Sequence, residues 1–70
     1  MLYVDDRGCR YMVRECVELG LPGVWNVYCQ ARPAGEWRMM ETTRWQRTAV
    51  DAKMYLSQLA REWGLVRAAV

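Results

Sequence analysis

The sequence predicts a small α+β domain in which a three-stranded antiparallel sheet carries one carboxyl-terminal helix on one face, in the order β-β-β-α. Residues 9–45 contain three runs in which apolar residues recur at every second position, the period of a half-buried strand. Two turn-forming stretches, GLPG at 20–23 and PAG at 33–35, separate these runs. Residues 49–63 instead place apolar residues three and four positions apart, which is the spacing of an amphipathic helix.

The three predicted strands cover about residues 9–18, 24–32 and 36–45. Their odd-numbered positions are mostly apolar, and we expect these positions to face the helix. They are Cys9, Tyr11, Val13 and Val17 in the first strand, Trp25, Val27 and Cys29 in the second, and Trp37, Met39 and Trp45 in the third. Glu15 and Glu41 share this parity, and we expect them to lie at strand ends or bulges.

The first run also fits a helix, which would give the alternative order α-β-β-α. The residues on that helical stripe are Cys9, Met12, Val13, Cys16 and Val17. Asp5 or Asp6 would cap such a helix, and the Gly-Leu-Pro stretch at 20–22 would end it. We favour a strand, because two strands and one helix would leave three tryptophans of residues 25–45 with little cover.

The helix at about 49–63 has a signal at each end. Thr48 followed by Asp51 resembles a capping box, with Asp in place of the usual Glu or Gln. Gly64 stands where a left-handed residue commonly ends a helix, and Leu65 supplies the apolar contact that accompanies it. Both boundaries are therefore predicted from local sequence.

The length and composition predict one domain over residues 1–70 with surplus apolar surface. A chain of this size buries only about 60% of the surface that its unfolded form exposes, yet 53% of its residues are hydrophobic. Apolar residues that remain after one core is filled are Val24, Met40, Val50, Met54 and the segment 65–70. A small domain usually shares such a surplus with a partner, and we expect a homodimer rather than a monomer.

The chemistry-bearing residues argue against an enzyme, a metal site and a disulfide framework. The chain has no histidine and three cysteines without a CxxC pair, so we expect free thiols, no metal and no cofactor. Cys16 and Cys29 lack an adjacent base, and no glycine-rich phosphate loop is present. Without an apolar run at the amino terminus or of membrane-spanning length, we expect a cytoplasmic protein that does not enter the membrane.

The even-numbered strand positions are predicted to form a binding surface on the sheet face away from the helix. Nine of the ten basic residues are arginine, whose planar guanidinium suits carboxylate and phosphate partners, although a GC-rich genome would also enrich arginine. Five of the nine fall at even strand positions, together with Tyr28, Asn26, Gln30, Met12 and Met40. The predicted partner-binding residues are Arg10, Arg14, Tyr28, Arg32, Arg38 and Arg44.

The element order resembles that of DNA-binding domains with three strands and one helix. These are the arm-binding domains of phage tyrosine integrases and the plant ethylene-response-factor domain. The shared pattern spans about residues 10–63 and consists of Trp25, Val27, Trp37, Thr48, Asp51 and Ala52. The resemblance implies DNA binding through the sheet face, whereas the net charge of +2 is low for a DNA-binding domain.

In size, arginine content and lack of catalytic groups, the chain resembles in type the small accessory proteins of bacteriophages and mobile elements, including anti-CRISPR proteins. That resemblance implies a non-enzymatic inhibitor that occupies a site on a host protein or nucleoprotein complex. Arginine, tyrosine, tryptophan and methionine are also the residues enriched at protein interfaces. We therefore expect a phage-type inhibitor that binds a host complex, with a small DNA-binding protein as the alternative.

Overall fold

The computed structural model describes residues 1–31 and 35–68, which form one antiparallel sheet with one helix on one face. The strands are β1 (Tyr3–Val4), β2 (Arg10–Glu15), β3 (Trp25–Gln30), β4 (Trp37–Met39) and β5 (Val66–Arg67). The helix α1 spans Ala49–Trp63, and a short 3₁₀ helix spans Val17–Leu19. The predicted α+β class is confirmed.

The sheet has five strands in the order β4-β3-β2-β1-β5, and every neighbouring pair is antiparallel. The chain runs from β1 to β4 as a meander, and α1 then leads from the β4 edge back to β5 at the opposite edge. The predicted number of three strands is wrong, since the structure adds β1 and β5. These two strands contain two residues each, which is too short to show a period of two in the sequence. The alternative order α-β-β-α is also wrong, since residues 10–15 form a strand.

The strands that were predicted are present but shorter than expected. β2 ends at Glu15, after which Gly20 and Gly23 adopt positive φ angles of 74° and 79° in the predicted GLPG turn. β4 ends at Met39, so the second half of the predicted third strand is irregular. The predicted turn at 33–35 lies largely outside the described residues.

The helix begins and ends where the sequence predicts. The side-chain oxygen of Thr48 accepts a hydrogen bond from the backbone N–H of Asp51 at 3.1 Å. At the other end Gly64 has a φ angle of 69°, and the N–H of Leu65 donates to the carbonyl of Ala60 at 2.8 Å. Both caps are local interactions, which explains why sequence alone located them.

The core lies between α1 and the central strands. Val27 and Leu56 are fully buried and form a cluster with Leu59. Around this cluster pack Tyr3, Tyr11, Val13, Met40 and Tyr55. The odd positions of β2 and β3 therefore face the helix, as predicted.

Asp5 organises the turn between β1 and β2. One oxygen of its carboxylate accepts the backbone N–H groups of Arg7 and Cys9, and the other accepts the Tyr11 hydroxyl, all at 2.9 Å. Burial tends to raise the pKa of Asp5, but these hydrogen bonds together outweigh it and hold the pKa below the usual value. The ionised form of Asp5 therefore stabilises the folded turn.

We predict that Asp5→Asn lowers the free energy of unfolding at pH 6 and that this difference shrinks below about pH 4. A carboxylate whose pKa is depressed by folding stabilises the protein above its unfolded pKa of about 3.9, and this contribution is lost as the pH falls through the folded pKa. Urea unfolding of the wild type and the variant at pH 6 and pH 3 measures the effect. Asp6→Asn, at an exposed neighbour outside these hydrogen bonds, is the control. A difference that is the same at both pH values would contradict the prediction.

Candidate functional site

The candidate site is the sheet face that points away from α1, here named the outer face. Side chains of directly paired residues lie on the same face of a sheet, so the strand register defines its members. They are Val66 on β5, Val4 on β1, Arg10, Met12 and Arg14 on β2, Asn26, Tyr28 and Gln30 on β3, and Trp37 and Met39 on β4. The even positions of β2 and β3 thus form the outer face, as predicted.

The prediction for β4 is wrong, because its odd residues lie on the outer face. Trp37 pairs with Gln30 and Met39 with Tyr28. Arg38 pairs with Cys29 on the helix side, and Met40 packs against the core. The run WRMM is apolar at both parities, so its pattern does not specify the register, and a shift of one residue exchanges the two faces.

The structure brings only three of the six predicted binding residues together on the outer face. Arg10 is exposed there, Arg14 is half-buried, and Tyr28 lies beneath Arg14. Arg44, like Arg38, does not lie on the outer face, which corrects its predicted position. Its guanidinium carbon lies 5.5 Å from the ring centroid of Tyr55 on α1. Arg32 lies outside the described residues.

The central row of the outer face is buried rather than open. Asn26, Tyr28 and Gln30 are 1%, 4% and 7% exposed. The guanidinium carbon of Arg14 lies 5.0 Å from the ring centroid of Tyr28, and the Gln30 amide donates to the Gly35 carbonyl at 2.7 Å. Tyr28 therefore offers little accessible surface to a partner in this conformation, unlike the open position expected for it.

Burial raises the pKa of the Tyr28 hydroxyl, and the neighbouring Cys16 thiol raises it further, while Arg14 opposes the change. Tyr28 therefore remains a neutral phenol around neutral pH. Arg14 therefore makes a cation–π contact with a neutral ring. The result is a cation positioned over Tyr28 on the outer face.

Asn26 fills a gap in the hydrogen bonding between β3 and the chain that follows β4. Backbone bonds join Met40 to Val27 and Gln46 to Trp25. Between them, the side-chain oxygen of Asn26 accepts the N–H of Val27 at 2.8 Å and lies 2.6 Å from the Thr43 hydroxyl. The side chains of Asn26 and Thr43 thus take the place of backbone hydrogen bonds between β3 and the chain that follows β4.

Two buried polar atoms of the outer face lack a hydrogen-bond partner among the described residues. They are the side-chain nitrogen of Asn26 and the side-chain oxygen of Gln30. One is a donor and the other an acceptor, and they lie on either side of Tyr28 along one strand. Unpartnered buried polar atoms are costly and rare, so a group that reached them would gain hydrogen bonds.

Sequence reasoning missed Trp37 and Met39 as outer-face residues, whereas it placed Asn26 and Gln30 on that face. Asn26, Tyr28 and Gln30 occupy every second position of a central strand, so their side chains, all with polar atoms, lie on one side of it. That pattern was a usable signal for the amides. No comparable signal exists for β4, because its parity depends on the turn before it.

The potentially reactive groups of the sequence are its cysteine thiols and the carboxylates of Glu15 and Glu41. Burial raises the pKa of the Cys29 thiol, and also that of Cys9, which keeps both protonated around neutral pH. Glu15 ends β2 and accepts the N–H of Gly23 at 2.7 Å, and Glu41 follows β4, so both lie beyond regular strand interiors, as predicted. Over residues 1–31 and 35–68, no group of three or more ligand side chains is placed to hold a metal ion.

Among the described residues, no helix has the length and apolar character needed to cross a membrane. No family model matches the sequence, and no curated protein or solved structure shows a significant similarity to it.

Proposed function

We propose that this protein is a non-enzymatic module that binds a partner protein through its outer face. The observation that carries the proposal is the composition of that face. Its five strands place Met12, Arg14, Trp37 and Met39 around a buried polar row, and the strand residues that the structure describes there include no lysine, aspartate or glutamate. Interface cores are enriched in methionine, tryptophan and arginine and depleted of those three charged residues.

Where one face of an antiparallel sheet meets only water, that face normally carries charged and polar residues. The outer face instead has half-buried Met12, Trp37 and Met39, and the charged residues of its strands are Arg10 and Arg14. Arg14 is already placed over the Tyr28 ring, so it loses little conformational freedom when it pairs with a carboxylate. The fitting partner surface is therefore apolar at its centre and acidic towards the side of β2.

In keeping with its resemblance in type to phage accessory proteins, we propose that the module is a cytoplasmic inhibitor of a host protein or nucleoprotein complex. Inhibition requires only that the outer face occupy a surface that the complex needs. The alternative, DNA binding by the sheet face, has less support. Of the five arginines expected on that face, Arg10 and Arg14 lie there, Arg38 and Arg44 lie on the helix side, and Arg32 is not described.

Site-specific photo-crosslinking tests the outer face as the binding surface. Benzoylphenylalanine replaces Met12 in one protein and Lys53, on the exposed side of α1, in a control, and both proteins are illuminated in bacterial cells. We expect a discrete adduct with a foreign protein from position 12 and none from position 53. In the protein labelled at position 12, Trp37→Ala should reduce the adduct about tenfold, whereas Trp45→Ala, an exposed tryptophan outside the sheet, should not.

Three outcomes would contradict the proposal. Equal adducts from both positions, or none from position 12, would remove the outer face as a specific site. Adducts only between two copies of the chain would assign the face to a homodimer. A crosslink to nucleic acid, with a duplex-dependent shift in size-exclusion chromatography that disappears by about 0.3 M salt, would favour the DNA alternative.

A further inference from the structure

A polar groove on the helix side of the molecule forms a second candidate site. It has a volume of about 440 Å³ and lies between α1 and the segment 44–46. The side chains that line it and matter here are Arg44, Gln46, Asp51, Tyr55, Gln58 and Arg61. None of them belongs to the outer face, so the groove is independent of the function proposed above.

The helical wall of the groove is one continuous stripe. Asp51, Tyr55, Gln58 and Arg61 follow one another at intervals of four, three and three residues, which places them on one side of α1. Ten residues of helix extend about 15 Å. The stripe carries an acidic group at its first turn and a cation at its last, so the charge along the groove is asymmetric.

Tyr55 holds Arg44 in a defined position on the opposite wall. The Tyr55 hydroxyl accepts the backbone N–H of Arg44 at 3.2 Å, and its ring lies 5.5 Å from the Arg44 guanidinium carbon. The guanidinium has five N–H donors, which can bind a ligand while the side chain stays beside the ring. Among the described residues, neither Arg44 nor Arg61 has a carboxylate partner, so both cations remain able to bind an anionic group.

We propose that this groove binds a short extended peptide segment of a partner protein, with a peptide carboxylate at Arg44 and Arg61 and a peptide cation at Asp51. Two guanidinium groups can hold a carboxylate through charge-assisted hydrogen bonds. The amides of Gln46 and Gln58 can each donate to and accept from a peptide backbone. Asp51 would repel a chain of phosphates, and this charge complementarity favours a peptide of mixed charge over nucleic acid.

The span of the stripe sets the length of the probe. An extended chain advances about 3.3 Å per residue, so four steps match most of the distance from Asp51 to Arg61. The probe is the capped peptide Lys-Ala-Ala-Ala-Glu, and its control is the same peptide with glutamine in place of glutamate. NMR spectra of ¹⁵N-labelled protein report binding through the Nε–H signals of Arg44 and Arg61 and the side-chain amide of Gln58.

We expect saturable shifts of these signals with the glutamate peptide and binding about tenfold weaker or more with the glutamine peptide. Arg61→Gln, at an exposed position near the end of α1, should weaken binding to a similar extent while leaving the rest of the spectrum in place. Lys53→Gln on the same helix, but outside the groove, should not. Arg44→Gln provides a second test on the opposite wall.

Several results would overturn the proposal. These are shifts that do not saturate, equal binding of the two peptides, or wild-type affinity in both arginine variants. Inorganic phosphate that moved the same signals at lower concentration than the peptide would assign the groove to a phosphate ligand instead. Crosslinking from position 12 is unaffected by Arg61→Gln under the proposal, so the two sites succeed or fail separately.

Discussion

Leu56→Ala will lower the free energy of unfolding by about 2–5 kcal/mol, the usual effect of truncating a buried leucine. Leu56 is fully buried and packs with Val27 and Leu59 at the centre of the only core in the described residues. A domain of this size rarely has more than about 3–5 kcal/mol of stability from such a core. The variant should therefore be substantially unfolded at 25 °C.

Urea unfolding followed by tryptophan fluorescence measures this effect. Met54→Ala is the matched control, because Met54 lies two residues away on the same helix and is 66% exposed, so its truncation should change stability by about 0.5 kcal/mol or less. Leu56→Met nearly conserves volume and should cost less than about 1.5 kcal/mol, which keeps the comparison measurable where the alanine variant does not fold. Similar losses for Leu56→Ala and Met54→Ala would show that α1 does not pack through Leu56.

Asn26→Ala will lower the free energy of unfolding by about 1–3 kcal/mol, the usual cost of leaving a buried polar group without its partner. It removes the side-chain oxygen that accepts the N–H of Val27 at 2.8 Å. Thr43→Val should cost about 1 kcal/mol, because it removes one hydroxyl and leaves the bond between Asn26 and Val27 in place. The same urea measurement applies to both variants.

A double-mutant cycle isolates the contact between the two side chains. The Thr43 hydroxyl has one proton and two acceptors, the Asn26 side chain at 2.6 Å and the Met40 carbonyl at 3.1 Å. When Asn26 is absent, the hydroxyl can still donate to Met40, so the double variant should lose about 0.5 kcal/mol less than the sum of the single losses. Strict additivity would show that Asn26 and Thr43 act independently.

The parts of the fold that sequence predicted are those determined locally. The caps of α1 at Thr48 and Gly64 involve residues within a few positions of each other, and the glycines at 20 and 23 define their own turn. β2 and β3 were recognisable because one parity of each is apolar. β1 and β5 have two residues each. They are strands only because β1 pairs with β2 and β5 pairs with β1.

The candidate site was also predictable only in part, because a local pattern placed some of its residues correctly and not others. Arg10 and Arg14 follow from the parity of β2. Arg38 was assigned to the wrong side because the register of β4 is not encoded in its own residues, and Arg44 because the chain beyond Met39 is not a regular strand. The burial of Tyr28 depends on Arg14, the second-last residue of β2, and on Cys16 beyond it. Such cover comes from neighbours in space, which an alternating pattern does not reveal.

The two edge strands limit how the protein can be recognised. β4 has three residues and β5 has two, so each edge offers few free backbone N–H and C=O groups to an added strand. Recognition by extension of the sheet is therefore poorly supported at both ends, and a partner must read side chains on a face or in a groove. Under the proposed function, binding would therefore depend on the side chains of the partner's surface, and substitutions there would weaken it without changing the partner's fold.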